Sequence, residues 1–289
     1  MRIASLLPSA TEIVCALGAG KSLVGISHSC DRPAGALGLP RLTRTAVPMG
    51  VSSREIDHAV RDCLARGESL YTIDTEALAA LDPDLVITQG LCDVCAVTKS
   101  EVDGALCVSR TAPRVLSLDA CTLDQVLESV IEVGRAIERE AEAAALVADL
   151  RTRVERVRAR SARLTRRPRV GFLEWVDPLM CGGHWNPELV ALAGGEDGIG
   201  RAGEPSRTIE WRELTAWRPE VLIVACCGFT VERSRREVAV LRERPGFREL
   251  PCARSGRIQV FDGAGLFSRP GPALVDSLEL LAGVLHPGD

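Results

Sequence analysis

The chain has 289 residues, 46% of them hydrophobic and 26% charged, with a formal net charge of -4. That length carries about two domains, and the slightly acidic balance excludes a general basic face for a nucleic-acid backbone. Aromatic residues make up only 3% of the chain but there are eleven cysteines, so unusual chemistry is to be sought among thiols rather than rings.

In chain order, "RIASLL" reads as a first strand, followed by a helix from about Ser9 whose Thr11 and Glu12 suit a first turn. The same N-terminal stretch resembles a secretory leader only superficially. Its apolar run is broken by Pro8, Ser9, Thr11 and Glu12, so it reads as part of the mature fold. No stretch reaches the roughly 20 apolar residues that a spanning helix needs, so no membrane insertion is expected. The expected location is the cytoplasm. In that reducing compartment a close cysteine pair points to metal binding or catalysis rather than a disulfide.

Further strands follow in "SLVGIS", "DLVITQ" and "RVLSLD", and the scheme repeats with "RVGFLEWV", "EVLIVACC" and "RIQVFDG". Their continuous Val, Ile and Leu content is what parallel strands buried on both faces require. Between the two sets lies "EREAEAAALVADLRTRVERVRARSARL", free of Gly and Pro and rich in strong helix formers. A helix over about 139–164 extends about 39 Å, too long for a simple crossover. The expected fold is α/β, with two Rossmann-like lobes on central parallel sheets joined by one long rigid helix. The N-terminal lobe takes residues 1–122, the helical segment 123–166 and the C-terminal lobe 167–289. The arginine-rich stretches "RVERVRARSARLTRRP" and "ERSRREV" read as solvated helix faces, and no nucleic-acid partner is expected.

Ligands of open α/β sheets bind beyond the carboxyl ends of the strands, and soft ligands gather there. His28, Cys30 and Asp31 follow "SLVGIS"; Cys92 and Cys95 follow "DLVITQG"; Cys181 and His184 follow "RVGFLEWV". Cys226 and Cys227 follow "EVLIVA", and Ser268 and Arg269 follow "RIQVFDG". Three thiolates and an imidazole complete a tetrahedral set for Zn²⁺, and thiolates also take Cu(I) or iron. The set expected here is Cys92, Cys95, His184 and Cys227, holding one metal ion, first of all zinc. Adjacent residues of an extended chain point opposite ways, which leaves Cys226 to the core. Cys15, Cys63, Cys107 and Cys121, with Cys30 and Cys181, read as packing residues. Trp185 and Phe229 are candidate walls beside the site, and Arg269 is a natural anchor for an anion.

The same residues support other chemistry. The pair Cys92 and Cys95 has redox spacing, although it lacks the flanking Trp and Pro of a thioredoxin-like motif. A metalloenzyme or thiol-dependent enzyme is the alternative function, with His28 or His184 as base and Glu12, Asp31, Glu174 or Asp177 in proton transfer. Helix capping or a solvated loop is the simpler role for each of those acids.

"RIASLLPSATEIVCALGAGKSLVGISHSCDRP", "TEALAALDPDLVIT" and "RIQVFDGAGLFSRPGPALVDSLELLAGVLHP" resemble the substrate-binding proteins for cobalamin, haem and ferric siderophores of ABC importers. The likeness covers essentially the whole chain. It is greatest to a cobalamin-binding branch with "DLC-x-VCAV", "GHW-x-PE" and "PCGF" segments, here "GLCDVCAV", "GHWNPE" and "CCGF". The resemblance implies two α/β lobes, a rigid backbone helix, a metal-complex ligand such as cobalamin bound between the lobes, and docking on a permease through one acid per lobe. Glu76 fits the first docking position, but Arg212 falls at the second, with Glu213 beside it. Arg32 also stands where an aromatic is usual, so the pocket is expected to be smaller or differently tuned for a corrin.

Overall fold

The computed structural model describes residues 1–90, 99–106 and 112–288. By contacts it divides into two α/β units. The first contains Met1–Val51, His58–Ala120 and Asp124–Ala148; the second contains Ser52–Asp57, Cys121–Leu123 and Asp149–Asp289.

In the first unit, strand β1 (Ile3–Ser5) leads into helix α1 (Pro8–Ala16), which starts with proline in its first turn. Then come β2 (Leu23–Ile26) and β3 (Thr43–Thr45), helix α2 (Ser53–Ala65), β4 (Tyr71–Ile73), α3 (Thr75–Leu81) and β5 (Leu85–Thr88). Helix α4 (Lys99–Leu106), β6 (Arg114–Ser117) and α5 (Leu123–Ala136) follow. The sheet runs in the order β2-β1-β5-β6 with every pairing parallel. All four residues of β5 are buried, as a strand covered on both faces must be. Ala4, Leu6, Leu42, Leu78, Val86 and Val102 form one core cluster. A separate antiparallel pair, β3 with β4, lies outside that sheet.

Helix α6 (Glu140–Ser161) runs 22 residues, and the boundary between the units falls within it. Glu140 and Glu142 lie in its first turn and Arg158 and Arg160 in its last, matching the helix dipole at both ends.

The second unit continues with β7 (Arg169–Trp175), β8 (Met180–Cys181), α7 (Asn186–Leu192), β9 (Glu196–Asp197), α8 (Trp211–Trp217) and β10 (Val221–Val224). Helix α9 (Val231–Arg242), the short α10 (Pro251–Arg254), β11 (Ile258–Val260) and α11 (Ala273–Leu285) complete it. Strands β11, β10 and β7 are parallel; β8 joins β7 antiparallel, and β9 pairs with β7 in parallel. Val221–Val224 are fully buried, and α11 covers the core with Leu274, Val275, Leu278 and Leu281.

The first turn of α2 belongs by its contacts to this second unit. Ser53 is buried; its hydroxyl donates to Glu237 Oε2 (2.5 Å) and its N–H to Oε1 (3.3 Å). The indole N–H of Trp175 donates to the Ser53 carbonyl at 3.2 Å, and Arg54 pairs with Asp177 at 2.7 Å. A buried carboxyl needs such donors to offset its desolvation.

Candidate functional site

In the first unit the loop after β2 carries His28. The His28 main-chain N–H donates to Thr43 Oγ1 at 3.0 Å, and its ring Nδ1 lies 2.7 Å from the same oxygen. Nε2 lies 2.9 Å from Ser29 Oγ, and the ring tilts against Tyr71 at 5.6 Å. Burial, with Arg41 nearby, pushes His28 below the usual imidazole range, which favours the neutral ring. Arg41 also ties the loop down through the Ser27 and Cys30 carbonyls at 2.9 and 2.5 Å. Asp31 is exposed and 3.5 Å from Arg32, which also reaches Glu12 at 3.6 Å. Cys30 is buried with Thr11 Oγ1 at 3.2 Å, in keeping with packing. Cys92 and Cys95 lie outside the described residues, as does Cys107.

In the second unit the chemistry collects at the end of β7. The Glu174 carboxylate accepts the Gly183 N–H (3.0 Å) and the Asn186 side-chain amide (2.5 Å) on Oε1, and the Ser206 hydroxyl on Oε2. Burial pushes this carboxyl above its ordinary range, while the three donors pull it back. Asp197, on β9, accepts the Ile199 and Gly200 N–H groups on Oδ1 at 2.9 and 3.0 Å, and burial raises it too.

His184 sits between Gly183 and Trp185 in left-handed backbone, φ 51°. A non-glycine residue there carries about 1–3 kcal/mol of strain and persists only where its surroundings fix it. Here its N–H donates to the Glu204 carbonyl at 2.6 Å, and its own carbonyl accepts the Gly203 N–H at 2.8 Å. Burial lowers the imidazole below its usual range, so at neutral pH it favours the unprotonated form that a metal ligand needs. Beyond β10 the vicinal cysteines face apart. Cys226 is fully buried, its thiol pushed up to about 12, and Cys227 is exposed. The Cys227 N–H donates to the Glu174 carbonyl at 2.9 Å. Cys227 is thus bonded through its backbone to the end of β7, whereas the His184 main chain is bonded to Gly203 and Glu204 and meets β7 through its neighbour Gly183, whose N–H donates to the Glu174 carboxylate.

The remaining candidates are more enclosed than exposed walls would be. Trp185 is 4% exposed, with its indole N–H on the Phe267 carbonyl at 2.8 Å; Phe229 is 2% exposed, packed between the tilted ring of Trp175 at 4.9 Å and the Arg233 guanidinium at 3.6 Å. Arg269 is 8% exposed, and Ser268 follows the Gly263–Phe267 turn as its cap. Glu76 is exposed in the first turn of α3, while Arg212 is exposed on α8 and paired with Glu210 at 2.5 Å. Among the described residues, no three His, Cys, Asp or Glu side chains converge as a metal-binding group, and no helix is long and apolar enough to cross a membrane. The residue missed by sequence reasoning is Glu174 as an anchor of loops. An acid inside the apolar run "RVGFLEWV" was the signal, because a charge in a buried strand requires partners.

Two α/β units on parallel sheets, with the long α6 running from one into the other and polar loops beyond the strand ends, define the two-lobe class of solute-binding fold. The family model described as periplasmic binding protein matches residues 3–264, and the chain belongs to that family. A search of curated proteins found no match in sequence. Among solved structures, the chain is similar to the periplasmic vitamin B12 binding protein BtuF of Vibrio cholerae, with a TM-score of 0.70 and 21% identity, covering 98% of this chain and 96% of that one. It is also similar to a periplasmic heme binding protein from Pseudomonas aeruginosa, with a TM-score of 0.74 and 21% identity over 99% and 93%. An ABC transporter substrate-binding protein from Listeria monocytogenes gives a TM-score of 0.75 and 19% identity over 99% and 98%. At these identities the likeness is one of fold.

Proposed function

We propose that the chain is a cytoplasmic binding protein for a metal ion or a metal-containing small molecule, held through Cys92, Cys95, His184 and Cys227. The observation that carries the reading is the pairing at the end of β7. The favoured-neutral imidazole of His184 and the exposed thiol of Cys227 are anchored on one residue of that strand, Cys227 by its N–H on the Glu174 carbonyl and the His184 loop by the Gly183 N–H on the Glu174 carboxylate. Neighbours of the same fold that bind vitamin B12 or heme support a metal complex as the ligand. Zinc is the first bare ion to test, since one imidazole with thiolates is its usual company, and iron or Cu(I) follow. Arg269 would face an anionic part of the ligand. Eleven cysteines suit a reducing compartment. The positive charge of Arg212 at the second docking position speaks against tight engagement of a basic permease socket.

The test is an absorption spectrum with metal analysis of the protein as isolated, followed by titration with cobalamin and with haem. Bound metal or a spectral shift, lost in Cys92→Ser and His184→Ala, is the expected result. Less than about one metal per ten chains, with no shift on adding either tetrapyrrole, refutes the reading. Because each thiol must release its proton to bind metal, affinity should rise with pH through the thiol range.

A further inference from the structure

Taking His184 and Cys227 as donors, we propose that Glu174 is the positioning residue of the site, its carboxylate fixing the His184 loop and its main-chain carbonyl fixing Cys227. The two holds are separate. On the carboxylate, Gly183 and Asn186 bracket His184 in sequence, and both donate to Oε1. Ser206, which donates to Oε2, belongs to the segment whose Gly203 and Glu204 bond the His184 main chain. The His184 loop is thus held directly, and again through its neighbour, by one side chain. The main-chain carbonyl of Glu174 meanwhile accepts the Cys227 N–H at 2.9 Å, a bond that no side-chain change removes. A carboxylate only accepts, so it holds all three donors by charge-assisted bonds; a glutamine keeps the Gly183 and Asn186 bonds as weaker neutral ones and turns its NH₂ on Ser206, whose hydroxyl then has to reverse and accept.

This separation predicts selective damage. In the full-length chain, Glu174→Gln should weaken Co²⁺ uptake about 10- to 100-fold, as loss of an outer partner of a metal ligand does. Adding His184→Ala to Glu174→Gln should cost little more, because the ring is already misplaced. Cys227→Ser should cost the same in either background, and thiolate-to-cobalt absorption should persist in Glu174→Gln. The metal-free measurement is hydrogen–deuterium exchange: Glu174→Gln should speed exchange in peptides covering 181–187 and 203–207 and leave 221–228 unchanged. Unchanged exchange at 181–187, a uniform rise across the second unit, or additive losses with His184→Ala each overturn the proposal. If the wild-type chain takes up no Co²⁺, the reading of the function fails, and the exchange experiment alone decides the role of Glu174. Should Glu174→Gln not fold, Ser206→Ala removes one donor only and should give the same pattern in milder form; no change at 203–207 would again overturn it.

Discussion

Gly183→Ala is the sharpest structural test of the loop around His184. A Cβ at Gly183 would stand 2.2 Å from Ser206 N and 2.7 Å from Pro205 C and Ser206 Cα. All three are backbone atoms, so no rotamer change relieves the overlap and the segment 203–206 has to retreat. Retreat breaks the His184 N–H bond to Glu204, the Gly203 N–H bond to His184 and the Ser206 hydroxyl bond to Glu174. Two neutral bonds at about 1 kcal/mol each and one to a carboxyl at about 1.5–3 kcal/mol give a cost of roughly 3.5–5 kcal/mol. That is above the usual range of about 1–3 kcal/mol for overpacking. Urea unfolding followed by tryptophan emission reads the right unit, because Trp175, Trp185, Trp211 and Trp217 all lie in the second. A cost below about 1 kcal/mol would refute the steric reasoning, since the loop would then tolerate a methyl group where the structure leaves none.

Gly283, on α11, offers the opposite case: a Cβ there meets nothing within 4 Å, so Gly283→Ala should stabilise the same transition by about 0.5–1 kcal/mol. Ser53→Ala removes the hydroxyl that donates to buried Glu237 and should cost about 1–3 kcal/mol, with a Trp175-dependent change in emission; a neutral result would contradict the assignment of residues 52–57 to the second unit. Asp197 gives a signed pH prediction. Burial raises its carboxyl in the folded chain, so its proton favours the folded state at low pH and that support fades as pH rises through the raised value. Asp197→Asn keeps Oδ1 for both N–H donors without the buried charge. Its urea midpoint relative to wild type should therefore climb as pH rises above the ordinary aspartate range, and a flat difference would show that the carboxyl is not perturbed.

The main strands and the long helix were legible because each is a long signal: continuous apolar runs, and an uninterrupted stretch of helix formers that folds as Glu140–Ser161. The antiparallel pair Thr43–Thr45 with Tyr71–Ile73 and the short β8 and β9 were not. Two- or three-residue strands have no periodicity to read, and their pairing is set by what the tertiary fold brings alongside. At the site, alternation along an extended chain predicts the split of Cys226 from Cys227, but Val221–Cys226 are all buried and the chain turns at Cys227, so the exposure of Cys227 comes from the turn. Glu174 was visible as an acid in an apolar strand, but its three donors come from 9 to 32 residues away, and no local pattern announces them. The bond between Ser53 and Glu237 spans 184 residues and left no trace in the sequence.

That last bond bears on how the molecule can be dissected. A fragment beginning at Asp149 contains every strand and helix from β7 onward, and a gene designer would cut there. It would lack Ser53, the hydroxyl and N–H donor to Glu237, and the carbonyl that receives the Trp175 indole. During synthesis the same peptide leaves the ribosome more than a hundred residues before its partners, so this half of the protein completes its fold with a piece made long in advance.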